Sequence, residues 1–257
     1  MKPSNPVHYT FKPILVTALI CAAPIALAEK PKPALEPLSA ELELGVIAIT
    51  GNTESSALKG KATIKQDFKE WKSKYQLDAL YKRGRNEGET ETNTTAQKIF
   101  LSAQSDYKLS GDNSSVFVYG SYTGDRFSGY EYQNTVSVGY SGRLYEDEES
   151  SLDYSAGPGY SFTKTDEGEE DESAIAHIEL QYEYIISPSA TFHQLVSTEA
   201  ALQADKNTRS KAETSVSVKL RDDLSMKAAY SVTHNSQVLD TKEKTDATTS
   251  VIFAYTF

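Results

Sequence analysis

Cysteine is almost missing from this 257-residue chain: Cys21 stands alone, inside an amino-terminal stretch that reads as a cleavable export signal. The remainder of the chain therefore cannot form a disulfide, supply a thiol nucleophile or bind a metal through sulfur. Long apolar runs are lacking too. Beyond the first 28 residues nothing approaches the roughly 18 consecutive apolar positions a membrane helix needs, which excludes helical spans. Net positive charge is also absent, with 36 acidic against 26 basic residues and a formal charge of -10, and this argues against nucleic acid as a partner. Gly-rich phosphate loops, zinc-ligand spacings and basic aromatic grooves are not found, so no cofactor is expected.

The amino end sets the compartment. Lys2 and Lys12 supply positive charge, Ile14 to Ala23 is apolar, and Ala26 and Ala28 place small residues where a signal peptidase inspects the chain. Cleavage after Ala28 is expected. An uncleaved anchor is disfavoured by the short apolar stretch and by Pro24, and a lipoprotein signal at Cys21 by the bulky Ile20 before it. Removing residues 1–28 takes two lysines and no acid, and the charge falls to -12. Residues 29–39, with Pro31, Pro33 and Pro37, read as an extended periplasmic tail. Residues 40–257 read as one all-β domain.

What the chain has in quantity is alternation, with 16 Tyr and 9 Phe to decorate it. Val251, Phe253, Tyr255 and Phe257 share one strand face, an apolar stripe that a soluble edge strand would rarely expose. In lipid it is an outer wall, and it matches the carboxy-terminal signal that outer-membrane assembly machinery recognises. Similar runs recur at about 40–50, 55–68, 72–84, 94–107, 114–125, 131–143, 151–164, 173–185, 190–204, 211–220 and 225–236, separated by Gly, Asn, Asp, Ser and Glu. These predict a transmembrane antiparallel up-and-down β-barrel of about 12 strands. A mean hydropathy of -0.48 fits, because only alternate residues meet lipid. The strand at 114–125 has no clear phase, since Val116, Phe117, Val118 and Tyr119 are all bulky, and Pro158 predicts a weakened pairing. Longer loops at 85–93, 165–172 and 237–245 are expected outside, and short turns at 69–71, 186–189 and 221–224 on the periplasmic side. Aromatic girdles are expected near Phe68, Trp71, Tyr75, Tyr107, Tyr184 and Phe192 at one depth and near Tyr81, Phe127, Tyr130 and Phe162 at the other.

The complementary face is polar and of mixed sign. Lys59, Lys61, Asp78, Lys98, Asp106, Arg143, His177, Glu179, Glu183, His193, Glu199, Lys219 and Lys227 are expected to line the lumen, with Lys65, Asp67, Asp153 and Glu213 beside them. Two outcomes share these residues: a charge-paired structural plug, or a narrow pore for ions or small solutes. A hydrolase on the outer wall would need a Ser beside His234, and no outward Ser has a clear claim on an adjacent strand. His177, His193 and Glu179 are a loose metal set, more consistent with a polar lumen. The run Asp166 to Glu172 reads as a solvated acidic loop, able to hold divalent cations near lipopolysaccharide if it lies outside. The expected partners are outer-membrane lipid and lipopolysaccharide, with periplasmic chaperones and the barrel-assembly machinery during biogenesis. The chain is expected to be monomeric in the outer membrane of a Gram-negative bacterium.

Gly51-Asn52-Thr53 after the first strand, Asp125-Arg126-Phe127 before Tyr130, Val138-Gly139-Tyr140, and Gly157-Pro158-Gly159-Tyr160 occur in an order and spacing that resembles the salt-induced outer-membrane protein family. The resemblance spans about residues 40–257. It implies an outer-membrane barrel with a link to salt stress, and no catalytic or substrate residues.

Overall fold

Residues that alternate in polarity build strands with one face for lipid and one for the interior. Lipid offers no hydrogen bonds to an open sheet edge, so such strands are stable only when the sheet closes. In the computed structural model, which describes residues 38–49, 54–85, 93–109, 113–125, 128–238 and 243–257, that closure is complete. The described residues form twelve antiparallel strands: β1 (Leu38–Ile49), β2 (Glu54–Asp67), β3 (Trp71–Arg85), β4 (Asn93–Lys108), β5 (Ser114–Asp125), β6 (Tyr130–Glu146), β7 (Ser150–Thr165), β8 (Glu170–Ser187), β9 (Ala190–Ala201), β10 (Arg209–Lys219), β11 (Leu224–Asn235) and β12 (Thr245–Thr256). Each pairs with its sequence neighbours, and β12 returns to β1 to close the barrel. The expected signal segment with Ala26 and Ala28, the tail through residue 37, the Gly51 to Thr53 turn, Arg126 and Phe127, and much of the 85–93 and 237–245 loops lie outside the described residues. So do the side chains of Val46 and Ala48.

The outer wall follows the alternation. Val251, Phe253, Tyr255 and Phe257 are exposed, while Ile252 and Ala254 between them are buried. The strand without a clear phase resolves the same way: Val116 and Val118 face out and Phe117 is fully buried inside. Exposed rings gather near the end that carries Leu38 and Phe257, where Trp71 and Tyr107 meet edge to face at 5.1 Å. Tyr81, Tyr122 and Tyr160 are exposed toward the opposite end. Tyr130 departs from the expected girdle. It is 8% exposed and turns inward, its hydroxyl donating to the Gln237 carbonyl at 3.0 Å.

At the end with the termini the strands are joined through residues 68–70, 109–113, 147–149, 188–189 and 220–223. At the other end the gaps are 50–53, 86–92, 126–129, 166–169, 202–208 and 236–244. The acidic run is therefore not a loop throughout: Glu170, Asp171 and Glu172 already belong to β8, opposite Lys164, Thr163 and Phe162 of β7. Gly168 makes the tight turn possible with a φ of 87°, which side-chain-bearing residues rarely adopt. The ninth strand is also shorter than expected and stops at Ala201, leaving Leu202, Gln203 and Ala204 in the following turn.

Two of the motifs noted in the sequence are neighbours. Val138-Gly139-Tyr140 on β6 lies against Gly157-Pro158-Gly159-Tyr160 on β7, and the ladder passes from Ser137↔Gly159 to Tyr140↔Ala156 without pairing Gly157 or Pro158. Pro158 brings no amide to donate. The strands approach so closely here that a Cβ on Gly157 would overlap the Val138 carbonyl and the Gly139 Cα. Gly157→Leu is accordingly expected to cost at least the ~1–3 kcal/mol typical of overpacking, read as a lower urea midpoint for the protein refolded in lipid vesicles.

The β6–β7 turn is organised by Asp147. Its carboxylate accepts from the Tyr145 hydroxyl and from the Glu149 and Ser150 amides at 2.9 and 2.6 Å. These hydrogen bonds, Tyr145 first, lower its pKa from the ordinary 3.8 to about 2. A depressed carboxylate contributes stability that is present above the unfolded value and lost as pH falls through the folded one. Between pH 4 and 2 the wild-type turn should therefore weaken, and Asp147→Asn should remove that part of the pH dependence; acid unfolding curves of the two proteins measure it.

Candidate functional site

Tilted strands place residues of β4 to β11 in one continuous row across the inner face. Cross-strand partners run Asp106, Phe117, Gly139, then Gly157, His177, Glu199, Arg209 and Asn235. The two glycines leave the middle of the row without side chains, and Phe117 and His177 are their cross-strand partners on either side. His177 stacks on Tyr119 at 4.8 Å and 25°, and meets Phe117 at 6.0 Å. Ile175 is buried next to them, above Gly159. His177 is 2% exposed, and neither ring nitrogen has a hydrogen-bond partner among the described residues.

Above this apolar plug, toward the end away from the termini, Arg209 spans the lumen. From β10 its guanidinium donates to Glu199 at 2.7 Å, to Thr123 on β5 at 3.1 Å and to Gln133 on β6 at 3.3 Å. Thr135 donates to the same Glu199 oxygen at 3.0 Å. Arg209 and Glu199 are 15% and 12% exposed, so the pair is largely desolvated, and hydrogen bonds from the opposite wall compensate it. Asn207 bonds Asn235 at 2.9 Å, and Lys206 pairs with Asp171. The loop end is thus crossed by side chains at several levels.

The remaining lumenal charge is spread along the barrel, with one cluster by the β1–β12 seam. Lys227 joins Glu43 at 3.1 Å and Glu213 at 3.5 Å, reaching past the small Ala254. Lys211, 3.7 Å from Glu213, lies over the Phe100 ring of the opposite wall at 6.0 Å. Lys98 pairs with Asp125, Lys108 with Asp67, and Arg143 with Asp153 and Glu146. Asp78 accepts from Gln76 at 2.6 Å, Asp106 from Gln104 and Ser141, and Glu179 from Gln181. Lys59 donates to Ser250 at 3.4 Å. Lys61 sits between Glu43 and Asp78 in the register. Lys219 lies at the rim near the termini, beside Asp222 at 3.6 Å.

The register separates the two lumenal histidines. His193 faces Glu183, with a 3.3 Å contact, and His177 faces Glu199, so His177, His193 and Glu179 do not converge. Among the described residues no cluster of three or more metal-ligating side chains occurs. On the outer wall the register corrects one expectation: Ser210 lies directly opposite His234. The hydroxyl of Ser210 is hydrogen-bonded to Thr198 at 2.9 Å, however, and His234 to Thr245 at 2.8 Å, so the two are engaged elsewhere.

Arg209 and Glu43 are lumenal residues absent from the set expected on the pattern of alternation. Arg209 shares the parity of Lys211 and Glu213, but it lies two residues before the point where alternation marks the start of that strand. Glu43 alternates with Leu42 and Leu44, a signal present in the sequence itself. Phe100 shares the parity of Lys98 and Ser102, and Ile175 that of His177 and Glu179, so their phase is legible although their apolar character does not mark them as lumenal.

Known proteins share this architecture. The COG4313 outer membrane channel from Pseudomonas putida F1 superposes with a TM-score of 0.51 at 9% identity, over 90% of this chain and 100% of that one; the likeness is one of fold. The translocator domain of the autotransporter NalP from Neisseria meningitidis matches with a TM-score of 0.49 at 15% identity, over 88% of this chain and 90% of that one. In sequence the chain is 24% identical over 228 residues to the uncharacterised protein YdiY of Escherichia coli strain K12, covering 88% of this chain and 86% of that protein. The pattern of one family covers residues 42–257, all but the first few residues of the barrel, and by that match the chain belongs to the family described as "Protein of unknown function, DUF481".

Proposed function

We propose that the protein is exported to the outer membrane of a Gram-negative envelope and serves there mainly as a structural barrel whose lumen is closed at the loop end. One observation carries this reading: the Arg209 guanidinium leaves β10 and bonds Glu199, Thr123 and Gln133, tying together walls on opposite sides of the lumen. The Phe117, Tyr119 and His177 rings block the space beneath it. The exposed stripe Val251, Phe253, Tyr255 and Phe257 is the segment that assembly machinery would recognise, and lipid and lipopolysaccharide are its surroundings. A role in salt-induced envelope stress belongs to the same reading and rests on the resemblance carried by the order and spacing of Gly51-Asn52-Thr53, Asp125-Arg126-Phe127, Val138-Gly139-Tyr140 and Gly157-Pro158-Gly159-Tyr160.

A second reading is a narrow channel, closed in this conformation. The observation that favours it is that inward side chains near the termini, Lys65, Glu183 and His193, are accessible to solvent, so part of the lumen is open at that end.

Conductance in a planar bilayer separates the two. The wild-type protein should insert and stay silent, and Arg209→Ala combined with His177→Ala, which removes the bridge and opens the ring cluster beneath it, should show stepwise openings; wild-type steps as large as those of the variant would overturn the closed reading. Stability supplies a second measure. Arg209→Met leaves Glu199 buried without its cation and should cost about 3 kcal/mol, whereas Arg209→Met with Glu199→Leu should recover much of that. Urea unfolding followed by the fluorescence of Trp71 reports both.

A further inference from the structure

Many lumenal charges meet a neighbour of opposite sign or an amide or hydroxyl donor; one basic pair does not. Lys65 on β2 and Lys74 on β3 are direct cross-strand partners on the inner face, an arrangement in which like charges oppose folding. Neither has a carboxylate in ion-pair contact among the described residues. Their surroundings are more basic than acidic: Lys61 and Lys211 lie within electrostatic range of Lys74, opposed by Glu179 from the far wall, and Lys65 is within the same range of Glu41. The acids around them are already engaged, Glu179 by Gln181, Asp78 by Gln76 and Asp106 by Gln104. Gln104 is also the cross-strand partner of Lys74, and Thr63 and Gln76 form the next pair along β2 and β3, so neutral donors flank the two ammonium groups. Lys65 is exposed and Lys74 half-buried beside it, on the side of the lumen toward the termini.

We propose that Lys65 and Lys74, supported by Lys61 and Lys211, form a lumenal site for a small solute bearing a phosphate or carboxylate group, entered from the end that carries the termini. An external anion between the two ammonium groups would convert a like-charge repulsion into two charge-assisted contacts. The inference rests on the barrel reading above but not on the far end being shut.

The test is a stability titration of the refolded protein in detergent micelles at constant ionic strength, with inorganic phosphate in one arm and citrate in the other. A ligand that binds only the folded state raises the urea midpoint with the logarithm of its concentration once above its Kd. The wild-type midpoint should rise in at least one arm; a rise with phosphate alone identifies a phosphate group, and with citrate alone an organic carboxylate. In Lys65→Gln with Lys74→Gln the anion-free midpoint should equal or exceed that of the wild type, since the repulsion is gone, and the rise should vanish. Lys74→Gln alone should lose most of it, which decides the matter if the double variant does not refold. Lys98→Gln, whose partner is Asp125, should keep the full rise. A wild type indifferent to both anions, or Lys74 variants that respond as it does, would overturn the site, while the conductance result judges the closed lumen independently.

Discussion

Everything in this molecule depends on the seam between β1 and β12. Strands in hydrocarbon have no water to satisfy a free edge, and each unpaired amide or carbonyl costs several kcal/mol. Four residue pairs, from Glu41↔Thr256 to Leu44↔Phe253, and the Phe257 amide bonded to the Ala40 carbonyl close the sheet. Ile252 is buried on the inner side of this seam against Gly45, while Phe253 and Tyr255 stand on the outer side. The turn between β10 and β11 holds the same strand: the Thr256 amide donates to the Asp223 carbonyl, and the Tyr255 hydroxyl holds the Asp223 carboxyl below its usual pKa.

Closure divides the labour between two faces. The outside must be apolar, so the specific chemistry is displaced into a lumen that twelve strands leave narrow. There the protein uses two different fillings. Between β5 and β8 it packs the Phe117, Tyr119 and His177 rings against one another and Ile175 against Gly159, where the backbones of Gly139 and Gly157 come into close approach. Around the seam it uses ion pairs, with Lys227 shared between Glu43 and Glu213. Arg209 and Glu199 join the two regimes, since the acid belongs to the same cross-strand row as His177.

Much of this is legible in alternation alone. The phases of β2, β8 and β10 follow directly from Lys59 and Lys61 against Leu58, Glu179 against Ile178, and Glu213 against Val216. Phase is illegible where a strand is apolar on both faces, as at Val116 to Tyr119, and strand ends escape the pattern at Arg209 and at Glu170. Both failures have one cause. Alternation reports which side a residue faces, but it does not report where pairing stops or which apolar face is the inner one.

A barrel of about twelve strands with an apolar outer wall and a charged lumen is already written into the order of the residues, because a period of two is a local property that survives without any knowledge of partners. Which charges meet is a matter for the assembled barrel alone. The offset accumulated from strand to strand set Glu199, not His193, against His177, put Ser210 opposite His234, and carried Arg209 to Thr123 across the lumen. That offset is set by closure of the whole ring, and no single strand contains it.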